Sequence, residues 1–105
     1  MIELDKKNFD EEVMEADGYV FVDFWSESCE PCKALMPKVH ELADKYGDKI
    51  KFTSLDITKG RRCAIKCGVL GLPAMIMFED GEKLDVINEE TATIENIEEM
   101  IKKYY

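Results

Sequence analysis

The stretch Asp23-Phe24-Trp25-Ser26-Glu27-Ser28-Cys29-Glu30-Pro31-Cys32-Lys33 decides the fold, because it places a Cys-x-x-Cys pair where an apolar strand gives way to a helix. The run from Tyr19 to Trp25 is nearly continuous in apolar and aromatic residues, the pattern of a buried strand. Pro31 suits a first helical turn, and Leu35, Val39, Leu42 and Tyr46 then keep helical spacing as far as Gly47, a residue suited to a stop. Two cysteines three residues apart at such a junction can close a small disulfide. The unpaired N–H groups of the helix start and the helix dipole stabilise a thiolate at the first sulfur, which makes Cys29 the expected nucleophile.

The chain on either side alternates strands and helices. Phe9, Val13 and Ala16 mark a helix over residues 8–16 ahead of the strand. Pro37 falls inside the helix that follows the cysteines, where it removes a hydrogen bond and is expected to bend the axis. Ile50 to Ile57 reads as a second strand and Lys59 to Cys67 as a short helix. Ala74 to Glu79 and Lys83 to Ile87 form a hairpin turning at Glu79-Asp80-Gly81-Glu82. Thr93 caps a last helix whose inward face is Ile94, Ile97, Ile101 and Tyr104. Repeats, linkers and low-complexity tracts are absent from the sequence.

Composition narrows the function classes. A chain of 105 residues is expected to form one domain over residues 1–105, large enough to bury a core without staples. With 46% hydrophobic and 35% charged residues it is globular, and its four cysteines are too few for a disulfide-built scaffold. The formal charge of −9 repels nucleic acid and anionic membranes, so neither is an expected partner, whereas basic protein surfaces fit. There is no apolar run of bilayer length, and the acidic start Met1-Ile2-Glu3-Leu4-Asp5 lacks the pattern of a secretion signal. A cytoplasmic location is expected, where a Cys-x-x-Cys pair serves redox or metal chemistry more often than structure.

The order of elements, the Trp25 to Lys33 segment, Pro37, the Gly71-Leu72-Pro73 entry to the hairpin and the closing helix together resemble the thioredoxin family over essentially the whole chain. The resemblance implies an α/β thioredoxin fold, a central mixed β-sheet flanked by helices on both faces. It also implies a monomeric protein-disulfide reductant with no cofactor or metal beyond its redox disulfide Cys29–Cys32. Its partners would be a thioredoxin reductase or other electron-donating reductase and disulfide-containing protein substrates. In that scheme Cys29 attacks a substrate disulfide as thiolate, and Cys32, one turn into the helix, attacks Cys29 and releases the reduced product.

Further site residues follow from the same likeness. Asp23 lies in an apolar strand, where a carboxylate without partners is costly, so its pKa should rise and it can take the proton of Cys32; the alternative is a solvent-facing strand end. Trp25, so close to the cysteines, reads as part of the rim that substrates touch rather than plain core. Glu30, Pro31, Leu72 and Pro73 complete the expected substrate-binding set. The family has a cis peptide before the residue matching Pro73, leaving backbone free to pair with an extended substrate, and the alternative is a simple trans turn.

The departures are informative too. Glu30 replaces the common glycine between the cysteines, and Ser28 a common tryptophan before them. A carboxylate about 7 Å from the Cys29 sulfur, at an effective dielectric of about 40, opposes the thiolate by roughly 1 kcal/mol, unless Glu30 is simply a solvated side chain. Ser54 stands where many thioredoxins place a lysine near the buried aspartate, which would let Asp23 hold its proton more tightly. Asn88-Glu89-Glu90 replaces the usual glycine facing the site, a bulky acidic edge that disfavours some usual partners and favours a basic one. Together with Ser28 and Glu30, Gly60-Arg61-Arg62 and the segment Ala92-Thr93-Ile94-Glu95-Asn96-Ile97-Glu98 are similar to divergent thioredoxins that accompany glycine reductase. That likeness implies electron delivery to a selenium- or thiol-based reductase.

Other readings stay open at this point. Cys63 and Cys67 stand four apart on one helix face, as small buried hydrophobes, as candidate regulatory thiols with Cys67 near the site mouth, or as metal ligands. A structural zinc site of Cys29, Cys32, Cys63 and Cys67 has the right count, although Cys-x3-Cys on a helix is a poor knuckle. A redox-silent adaptor that uses only the groove is a further class. His40 fits a solvated or rim position, and the six methionines, Met75 and Met77 included, read as packing.

Overall fold

The apolar run 19–25 becomes the central strand of the sheet in the computed structural model, which describes residues 1–105. Five strands, β1 (Ile2–Leu4), β2 (Tyr19–Trp25), β3 (Ile50–Asp56), β4 (Ala74–Glu79) and β5 (Glu82–Ile87), lie in the order β1-β3-β2-β4-β5. Strand β3 runs parallel to β1 and β2, whereas β4 runs antiparallel to β2 and β5. The sheet is therefore mixed, as the resemblance implies.

Because successive side chains of a strand point to opposite faces, the continuous apolar runs of β2 and β4 supply two cores. Val20, Val22 and Phe24 meet Leu55, Ala74, Ile76 and Phe78 on one face, closed by Phe9, Val13 and Ala64. Val13 sits in a π-helical turn (Asp10–Met14), and Ala64 on α2 (Arg61–Lys66). On the opposite face Phe21 packs with Phe52, Met75 and Met77 under α1 (Glu30–Tyr46) and α3 (Ile94–Tyr104). These helices contribute Val39 and Leu42, and Ile97, Met100 and Ile101. Helices thus cover both faces. Truncating a fully buried side chain such as Phe21 to alanine would cost roughly 3–5 kcal/mol.

Local signals explain the element ends. Thr93 caps α3 by accepting the Asn96 N–H on its hydroxyl at 3.1 Å. At the hairpin tip Asp80 and Gly81 both have positive φ, 51° and 82°, the conformation that a two-residue turn between twisted strands requires. A Cβ on Gly81 would also collide with the Met14 carbonyl oxygen. Helix α1 runs on through Pro37, although the ring removes the N–H that would reach the Lys33 carbonyl.

Several expectations are adjusted. The N-terminal helix over 8–16 shortens to the π-helical turn, and the helix over 59–67 is trimmed to α2. Strand β1 carries no sequence signal of its own; only Leu4 of its three residues points into a core, too short a run to show alternation. In α3 the buried residues are Ile97, Met100 and Ile101, with Ile94 and Tyr104 at the margin.

Strand register gathers the functional segments. Glu3, Ser54, Asp23, Met75 and Ile87 lie abreast across the five strands. Just beyond that row β2 leads into the cysteine loop, β3 into α2, and β5 into Asn88, while β4 is entered from Gly71-Leu72-Pro73. All four connections meet at one end of the sheet.

Candidate active site

The cysteine loop is held at both sides before the helix begins. The Trp25 carbonyl accepts the Ile57 N–H at 2.9 Å, which extends the β2–β3 pairing, and the Ser26 carbonyl accepts the Cys29 N–H at 3.1 Å. The Ser26 and Ser28 hydroxyls are 3.1 Å apart, and Ser26 is buried. Ser26, buried between Trp25 and the exposed Glu27, anchors the loop through its carbonyl, a contact that the sequence alone does not signal.

Cys29 and Cys32 are joined as a disulfide with their Cα atoms 5.3 Å apart. Cys29 is the N-cap of α1, and its sulfur accepts the Cys32 N–H at 3.3 Å. Pro31, exposed in the first turn, gives up an N–H that a helix start leaves unpaired in any case. The two sulfurs differ in access. Cys29 is part-exposed, whereas Cys32 is 1% exposed.

Asp23 is 1% exposed, and neither of its carboxylate oxygens has a hydrogen-bond partner. By strand alternation it points to the same face as Phe21, the face that α1 covers. Burial alone pushes its pKa up from 3.8 to about 8, because a charge there loses its hydration without compensation. Ser54 is its β3 neighbour, so no cation sits at the adjoining sheet position. Ser54 also lines a cleft of about 570 Å³ with Trp25, Lys33, Met36, Pro37 and His40. His40 is exposed there.

The Leu72-Pro73 peptide is cis, and Pro73 is buried at the entry to β4 with Leu72 part-exposed beside it. Trp25 is part-exposed at the end of β2. Glu30 has an 83% exposed side chain and pairs with Lys33 at 3.3 Å. Solvent and that cation both weaken its action on Cys29, so the effect of Glu30 falls below that of an isolated carboxylate.

Cys63 and Cys67 pack in the core on the α2 side of the sheet, away from the face of Asp23. Burial raises the pKa of both, that of Cys67 to about 11, so at neutral pH they remain thiols. Cys67 also lines a small cavity with Gly71 and Glu89. No three His, Cys, Asp or Glu side chains stand where they could hold a metal ion, which gives a four-cysteine zinc site no support. None of the helices is long and apolar enough to cross a membrane.

Two outcomes follow from these electrostatics. Asp23 ionises near pH 4 in the unfolded chain but only near pH 8 in the folded protein, so its burial destabilises the fold increasingly as pH rises between those values. Asp23→Asn should therefore gain stability over the parent, slightly at pH 4.5 and by several kcal/mol at pH 8. Urea unfolding of the oxidised proteins checks this, and a gain independent of pH contradicts it. Glu30→Gly should lower the Cys29 pKa by less than about one unit. Iodoacetamide alkylation across pH measures the shift, and equal values would show that Lys33 cancels Glu30 entirely.

Comparison with known proteins agrees with this geometry. The thioredoxin family model matches residues 1–103. A thioredoxin of Acetoanaerobium sticklandii is 56% identical over 104 residues, covering 99% of both chains. One from Peptoclostridium acidaminophilum is 46% identical over 104 residues, covering 99% of this chain and 94% of the relative. A thioredoxin sequence from Tissierella creatinophila is 70% identical over 44 residues, 42% of this chain and all of that sequence. With a disulfide-forming Cys29–Cys32 pair at the head of α1, the chain belongs to the thioredoxin family of thiol-disulfide oxidoreductases.

Proposed function

We propose that the protein reduces protein disulfides, with Cys29 as the attacking and Cys32 as the resolving sulfur. The observation that carries this reading is the difference in access within one cysteine pair, a reachable Cys29 bonded to a buried Cys32. In the reduced protein the Cys29 thiolate attacks one sulfur of the substrate disulfide. The substrate S–S bond breaks, and its other sulfur leaves as a thiolate and takes a proton from water. Cys32 gives its proton to the Asp23 carboxylate and attacks the Cys29 sulfur. The mixed disulfide breaks, the second substrate sulfur leaves as a thiolate that takes a proton from water, and Cys29–Cys32 forms. Two electrons pass from the cysteine pair to the substrate.

Asp23 suits this role because a carboxyl with a pKa of about 8 exchanges its proton near neutrality, and it occupies the sheet face under α1 from which Cys32 is buried. Trp25, Glu30, Pro31, Leu72 and Pro73 form the substrate-binding rim. The cis peptide leaves its neighbouring backbone groups for an extended substrate segment. Cys63 and Cys67 act as packing residues, since their raised pKa values keep the thiolate form scarce.

The protein acts as a single-domain monomer in the cytoplasm, a compartment that suits two unpaired thiols beside one exchanging pair. It draws electrons from a thioredoxin reductase or comparable reductase and needs no separate cofactor. Ser28, Glu30, Gly60-Arg61-Arg62 and the segment 92–98 support a selenium- or thiol-based acceptor of the glycine reductase kind.

Serine substitution separates the assigned roles. Cys29→Ser should abolish turnover in an insulin-reduction assay, and Cys32→Ser should accumulate a mixed disulfide through Cys29, detectable by mass spectrometry. The double variant Cys63→Ser with Cys67→Ser should keep most of the rate. Full turnover by Cys29→Ser would overturn the mechanism.

A further inference from the structure

The loop after β5 carries a carboxylate that the exchange chemistry does not use. We propose that Glu89 makes the protein select substrates with a cationic side chain beside the disulfide, an inference that rests on the disulfide-reducing function proposed above.

Glu89 is set by a tight turn. Asn88 accepts the Glu90 N–H at 3.0 Å and the Thr91 N–H at 3.2 Å on its side-chain oxygen, and its own N–H donates to the Thr91 hydroxyl at 3.2 Å. Between these anchors the Glu89 side chain lies against Gly71. A Cβ on Gly71 would stand 2.6 Å from Oε1, 2.8 Å from Cδ and 2.9 Å from Oε2 of Glu89. The missing side chain of Gly71 is therefore the space the carboxylate occupies.

That seat places charge on the wall of the substrate groove. Gly71 directly precedes the cis Leu72-Pro73 peptide, and Ile87 is held opposite Met75, two residues past Pro73, by the β4–β5 pairing. The protein's ion pairs join Lys33 to Glu30, Lys45 to Glu98, Lys51 to Glu12 and Lys103 to Asp85, so Glu89 has no cationic partner within the protein. Lys83 donates to the Cys67 carbonyl at 2.8 Å and forms no ion pair with Glu89. The adjoining surface is apolar, with Leu70 93% exposed and Val69 part-exposed. An extended segment paired along the cis-proline backbone would meet an apolar shelf and the unpaired Glu89 carboxylate. A lysine or arginine matches that charge, arginine best because its fork can take both carboxylate oxygens. A carboxylate at the same substrate position would be repelled.

The test uses the full reduced protein and three disulfide-bridged peptides that differ only in one residue flanking the bridge: arginine, glutamine or glutamate. Oxidation followed through Trp25 fluorescence gives the second-order rate constants at low salt. The arginine peptide should react about five-fold faster than the glutamate peptide, and the ratio should fall toward one as salt rises. Glu89→Gln should remove most of the ratio and Glu89→Arg should invert it. Glu90→Gln loses the same formal charge from the neighbouring position and should retain the ratio. Equal rates for the three peptides in the parent, or equal losses in Glu89→Gln and Glu90→Gln, would overturn the proposal while leaving disulfide reduction standing. Failure to reduce any of the peptides would overturn both.

Discussion

The pairing of β2 with β3 on one side and β4 on the other is the constraint on which the rest of the structure depends. It holds the Trp25 end of β2 level with the end of β3 and the start of β4, so the cysteine loop and the cis-proline loop emerge side by side. A slip of one residue would turn Asp23 and Phe21 to the α2 face and leave Val22 and Phe24 on the α1 face. Both cores would lose their fit at once. The register is therefore enforced by two apolar layers, and the position of Cys29 inherits that precision.

Within that frame one residue works against stability. Apolar side chains occupy the rest of β2 from Val20 to Phe24, and an apolar residue at Asp23 would complete the strand at lower free energy. The unpartnered carboxyl is tolerated because protonation removes its charge, and the fold then retains a group that titrates where thiol chemistry operates. Such a local conflict with the burial pattern is what a functional position shows, and it supports the role proposed for Asp23. Ser54 deepens it, since a serine leaves the adjoining β3 position without a cation.

Much of this was legible from the residues. The strand-to-helix junction, the raised Asp23, the hairpin turn at Asp80-Gly81 and the Thr93 cap each rest on a strong local signal, and the structure bears them out. The cis peptide before Pro73 was legible only through the family likeness. The features that the sequence does not show depend on pairing and contact rather than on a local pattern. Strand β1 is defined by its pairing with β3 rather than by its own three residues. The partnership of Glu30 with Lys33 was open to helical spacing, for the two lie three apart, but the weight of Glu30 on Cys29 depends on that pairing and on exposure. The seat of Glu89 on Gly71 joins residues from different loops and leaves no periodic trace.

The division between scaffold and edge also separates reaction from recognition. Cys29, Cys32 and Asp23, to which we assign the exchange chemistry, are fixed by helix start and sheet register. The wall beyond the cis proline is built by loop residues whose backbone is satisfied locally, through Asn88 and Thr91. Side chains there can change without disturbing either core. A net charge of −9 already draws basic surfaces toward the whole protein, but that field is screened within about 10 Å at ordinary ionic strength. Discrimination between partners then falls to charges that contact the substrate, and a carboxylate held against a glycine at the groove wall is placed to supply it.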